Sequence, residues 1–119
     1  MKNTIYCPAE RAIYFLGGKW KIRILFSLLN NKIIRFGELK KGLKTITQQM
    51  LSKQLKELET DGIVNRKVYE VVPPKVEYSL TDFGFSVMPI LKSFSDWNKK
   101  NTRTISLKLN KNFEESRIS

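Results

Sequence analysis

Histidine is absent from the 119 residues, and cysteine occurs once, at Cys7. Without a second cysteine no disulfide can close within the chain. A metal site built from Cys and His has too few ligands. A nucleophile–imidazole pair is equally excluded, and no paired acids stand in a recognisable cleft pattern, so an enzyme is not expected. Acidic residues are also few, with 11 Asp and Glu against 22 Lys and Arg and a net charge of +11. No stretch approaches the ~20 consecutive apolar residues of a membrane span. The first residues, MKNTIYCPAERA, lack the apolar core of a secretory signal. A reduced cytoplasmic location is expected. No metal or cofactor is called for.

The positive excess favours polyanionic partners, either nucleic acid or an anionic membrane surface. A lysine-rich coding habit is the bland alternative. The length suits one domain, read as 1–119, large enough to bury a core without staples.

Hydrophobic spacing lays out the elements. A first helix begins at CPAE, with Pro8 at its first position and Glu10 in its first turn, and ends at Gly17-Gly18. In KWKIRILFSLLNN, Trp20, Ile24, Leu25, Leu28 and Leu29 share one stripe. A short extended piece from Lys32 to Arg35 leads to a short helix carrying Phe36, Leu39 and Leu43. Thr47 caps a further helix, with Ile46 and Leu51 placed as a hydrophobic staple and Asp61-Gly62 as its end. IVNRKVYEVV and KVEYSL read as two strands around Pro73-Pro74. Thr81 caps a last helix that Pro89 should kink or split. Residues 101–119 read as a mobile basic tail. The expectation is a mainly α fold with a small β-hairpin wing, a winged helix-turn-helix in the order α-α-β-α-α-β-β-α.

The helix after Thr47 carries the functional signal. Leu51, Leu55 and Leu58 face one way, while Gln49, Lys53 and Lys56 face roughly opposite, flanked by Ser52 and preceded by Gln48. Glutamine amides pair bidentately with adenine in the major groove, and Ser or Lys reaches base edges or phosphates. Recognition helices touch bases with their first residues, and free N–H groups there hold phosphate. An ordinary solvated face is the alternative. Arg66, Lys67, Tyr69 and Lys75 on the hairpin are candidates for gripping phosphate. Arg35 is another candidate, or a partner for Glu38.

These segments resemble a known family. CPAERAIYFLGGKWKIRIL, RFGELKKGLKTITQQMLSKQLKELETDGIV and VVPPKVEYSLTDFG are similar to the HxlR-type bacterial winged helix-turn-helix regulators, over about residues 6–98. The resemblance implies a transcription factor that binds operator DNA as a homodimer, with the first and last helices, about 6–31 and 81–100, in the interface. Thr47, Gln48, Gln49, Ser52 and Lys53 match the family's recognition segment, and residues 67–75 its wing. Thr47 stands where serine is frequent, and both residues can cap.

The last helix is apolar over more than one stripe, so Ile13, Leu16, Met88, Leu91, Phe94 and Trp97 are candidate dimer residues. A deeper intramolecular core is the alternative. Paired recognition helices would meet an inverted repeat in grooves ~34 Å apart. Some members of the family sense electrophiles or oxidants through a cysteine matching Cys7, and a helix N-terminus favours a reactive thiolate. An electrophile or small-molecule effector is therefore open, as is a cysteine that only packs. The competing class is a non-specific or architectural binder that relies on charge.

Overall fold

The computed structural model describes residues 7–118 along the backbone and side chains through residue 110. Tyr6 and Ser119, at the edges of the expected dimerisation segment and tail, lie outside it. The chain forms α1 (Pro8–Leu16), α2 (Lys21–Asn31), β1 (Ile33–Arg35), α3 (Phe36–Leu43), α4 (Gln48–Thr60), β2 (Val64–Tyr69), β3 (Lys75–Leu80), α5 (Asp82–Phe85), α6 (Met88–Lys100) and α7 (Thr102–Ile118). The described residues fall into two compact units, divided between Val87 and Met88.

The first unit holds the winged helix-turn-helix. Its core joins Ile24, Leu25 and Leu28 of α2, Leu39 of α3, Leu51, Leu55 and Leu58 of α4, and Ile63, all at most 2% exposed. These are the stripes expected from the helical spacing. The Thr47 side chain accepts from the Met50 N–H at 3.1 Å and so starts α4. Ile46 and Leu51 are both buried, as a staple requires. Gly62 ends the helix at φ +76°. Its N–H donates to the Glu59 carbonyl at 3.0 Å, and the Ile63 N–H to that of Leu58 at 2.9 Å. This pair of bonds satisfies carbonyls that the helix end would otherwise leave open.

β2 and β3 form the hairpin, with Val64 opposite Leu80 and Tyr69 opposite Lys75. β1 adds to the far side of β3, Arg35 opposite Glu77, giving the order β1-β3-β2. The extended piece before α3 is thus a third strand, a pairing that its three residues did not reveal.

Thr81 joins these parts. Its hydroxyl donates to the Gly62 carbonyl at 2.6 Å and accepts from the Gly84 N–H at 2.9 Å. Its own N–H donates to the Ile63 carbonyl at 3.0 Å. Buried Gly84, the third residue of α5, lies so close to Ile63 that a Cβ there would run into the Ile63 carbonyl oxygen.

The second unit gives the tail secondary structure. Residues 102–118 are helical as α7, because TRTISLKLNKNFEESRI contains neither Gly nor Pro to stop a helix. The expected last helix is split, α5 closing at Phe85 and α6 opening at Met88 with Pro89 in its first turn. There the missing N–H has no helical partner to lose. The candidate dimer residues divide as well. Ile13, Met88, Phe94 and Trp97 are 46–63% exposed, whereas Leu16 and Leu91 are 7% and 1% exposed.

Gly84→Ala should destabilise the protein by about 1–3 kcal/mol, because a backbone carbonyl gives way less readily than a side chain. Urea unfolding checks this; an unchanged midpoint would contradict the close approach.

Candidate nucleic-acid interface

With its leucines turned inward, α4 turns its opposite side to solvent. Thr47, Gln48, Gln49, Ser52, Lys53 and Lys56 are all exposed. No described ion pair engages Lys53 or Lys56. Gln54 turns aside, its amide donating to the Met50 sulfur at 3.4 Å.

Both flanks of α4 are hollow. On one side a cleft of about 370 Å3 runs under Ser52, Lys56 and Glu59, walled by Phe36, Tyr78 and Arg66. On the other, a cleft of about 390 Å3 follows Lys53, Lys56 and Thr60 toward Asp61, walled by Tyr14 and Lys21. Lys56 edges both. In the second cleft the Lys21 ammonium, buried in α2, meets the Glu57 carboxylate of α4 at 3.3 Å. Removing Glu57 would leave that ammonium buried without a partner. The sequence reading missed this pair, since Lys21 looks like one more surface lysine.

The strand register sorts the wing cations onto two faces. Residues directly opposite share a face of the sheet. Arg66 lies opposite Tyr78, which lies opposite Ile34, so Arg66 belongs to the core side, beside α4. Arg35 and Lys67 both lie opposite Glu77, on the outer side, with the Tyr69–Lys75 pair two residues along. The candidate cations therefore do not form one patch.

Glu77 organises the outer side. The Tyr69 hydroxyl donates to its carboxylate at 2.8 Å, and the Lys75 ammonium stands 3.3 Å from the other oxygen. The ammonium groups of Lys67 and Lys75 each lie 4.8 Å from the centre of the Tyr69 ring. Tyr69 and Lys75 are thus engaged within the wing, while Lys67 has no carboxylate partner among the described residues. Arg35 does not pair with Glu38 through its guanidinium; the Glu38 carboxylate accepts from the Arg35 backbone N–H at 3.2 Å. The sequence reading missed Glu77, although the expected hairpin already sets it near Tyr69 and Lys75; only the Arg35 contribution needed the β1–β3 pairing.

An exposed amide-and-lysine helix beside a hairpin, with a short helix before it, is the arrangement of a DNA-binding head. Residues 15–106 match the HxlR-like helix-turn-helix family model. The chain belongs to that family. It is a DNA-binding transcriptional regulator, as its relatives are, and not an enzyme. It is 50% identical over 101 residues to the uncharacterized HTH-type transcriptional regulator BH0655 of Halalkalibacterium halodurans, covering 85% of this chain and 89% of that one. The reduced form of the redox regulator HypR superposes with a TM-score of 0.79 at 43% identity, covering 84% of this chain and 98% of that one. Reduced YodB of Bacillus subtilis, another regulator of similar fold, gives 0.71 at 34% identity, covering 81% and 94%. No helix among the described residues is long and apolar enough to cross a membrane.

Cys7 occupies the N-cap of α1 and is exposed. Its side chain makes no capping bond.

The Glu77 carboxyl titrates below its ordinary 4.5. The Tyr69 hydroxyl bond is the largest cause; partial burial opposes it, and Lys75 and then Arg35 reinforce it. A carboxyl depressed in the fold stabilises it fully above the unfolded pKa and loses that contribution as pH falls through the folded value. Glu77→Gln should therefore melt below the wild type at pH 7, with the gap closing below pH 4.5. Thermal melts across that range check the sign; a gap that widens in acid would refute it.

Proposed function

We propose that the protein is a cytoplasmic homodimer that binds an inverted-repeat operator by setting α4 in the major groove, with Thr47, Gln48, Gln49, Ser52, Lys53 and Lys56 toward the duplex. The observation that carries this reading is the composition of the exposed stripe: amides, a hydroxyl and free lysines at its start, with the acids Glu57 and Glu59 later and aside. A binder that used charge alone would want lysine or arginine where Gln48 and Gln49 stand. Lys67, and Arg66 from the other face, are the wing cations proposed to meet phosphate, with Arg35 of β1 as a third cation. Tyr69 and Lys75 shape the wing and serve the duplex through it. Ile13, Met88, Phe94 and Trp97 supply exposed apolar surface for dimerisation.

Cys7 is proposed as an oxidant or electrophile sensor. Its support is an exposed sulfur at a helix start and the likeness to HypR, a redox regulator solved in reduced and oxidized forms.

Gln49→Ala should lose ~1–3 kcal/mol on the cognate operator and relax base preference, whereas Lys67→Ala should weaken all duplexes alike and lower the salt slope by ~1. Titrations of operator and random duplex at several salt concentrations separate the two. Equal losses on both duplexes for Gln49→Ala would refute base reading by that side chain. For Cys7, diamide should change operator affinity in the wild type and leave Cys7→Ser unaffected; the same response in both proteins rules the sensor out.

A further inference from the structure

The cleft between α1 and α4 has a polarity that DNA binding does not explain. It runs along one flank of the helix, from Lys53 past Lys56 and Thr60 to Asp61. That is a length of about 12 Å at the rise of an α-helix. Its volume of about 390 Å3 is that of a small-ligand site. Lys21 lines it too, but its charge is already matched by Glu57 at 3.3 Å. Lys53 and Lys56 have no described carboxylate partner, so the cleft's available positive charge lies at their end. Asp61 and the Thr60 hydroxyl, at the far end, can accept from a donor. Across from the helix stands Tyr14 of α1, 53% exposed and held edge-on to Phe15 with ring centres 5.3 Å apart. A ring so placed offers a flat apolar wall.

We propose that this cleft binds a small organic anion with a planar body, its anionic group held by Lys53 and Lys56 and its body laid against Tyr14. A carboxylate or a phosphate supplies the same charge, and both fall within the class. The two lysines are those proposed to face DNA, so this inference rests in part on that reading. An occupied cleft withdraws two cations from the duplex, and ligand and DNA oppose each other's binding by equal factors.

The test uses the full chain and three probes at matched ionic strength: phenyl phosphate, benzoate and inorganic phosphate. Calorimetry without DNA should show one saturable site for phenyl phosphate or benzoate, with inorganic phosphate weaker by about tenfold or more. Tyr14→Ala, at an exposed position outside the proposed DNA face, should lose that preference for the aromatic anion and keep its basal affinity for a mixed-sequence duplex. With probe present, duplex binding by the wild type should weaken and its salt slope should fall by up to ~2, one for each lysine withdrawn. No saturable binding of either aromatic anion, or equal binding by Tyr14→Ala, overturns the site. Saturable binding with unchanged duplex affinity overturns the competition, and locates the failure in the placement of Lys53 and Lys56 against DNA. If benzoate binds and phenyl phosphate does not, the anion is a carboxylate; the reverse assigns a phosphate.

Discussion

The rotation of α4 about its own axis is the constraint on which the rest depends. Leu51, Leu55 and Leu58 are almost fully buried. Burying three leucines contributes on the order of 5–9 kcal/mol. Polar preferences on a helix surface amount to roughly 0.2–0.5 kcal/mol per pair. The apolar side therefore decides which way the helix faces, and the opposite side is left free to be chosen for what it meets outside. Thr47 at one end and Gly62 at the other fix the length of that exposed face. The Lys21–Glu57 pair adds a directional tie between α2 and α4 that apolar contact alone would lack.

Most of the first unit was legible because its signals are local. Caps at Thr47 and Thr81, breakers at Gly17-Gly18 and Gly62, and leucines at helical spacing need no knowledge of distant residues. What escaped depends on pairing across the fold. β1 is three residues long and acquires its meaning only from lying beside β3. Until that pairing is known, Arg35 has no place beside Glu77, and Arg66 and Lys67 look like neighbours in one patch unless the hairpin register is followed. The register places them on opposite faces of the sheet. The last segment escaped for another reason: α7 carries little periodic apolar signal, so its helix rests on residue preference and the absence of breakers.

The wing's charges are arranged more by restraint than by number. One carboxylate, Glu77, takes a hydrogen bond from Tyr69 and a close ammonium from Lys75. The aromatic ring then draws Lys67 and Lys75 to the same distance. Ordering long side chains in advance reduces the entropy lost when a polyanion arrives. A hairpin of this size gains from such cross-strand links, since two strands alone are marginal in water.

Thr81 has a consequence for how such a regulator can change over time. Because one hydroxyl and one N–H clasp Gly62 and Ile63 while Gly84 abuts the Ile63 carbonyl, the passage from α4 to the wing tolerates no added residue. New target sequences must then be acquired by exchanging side chains on a frame of constant length. Paralogues of divergent specificity should differ in what they display and agree in where they bend.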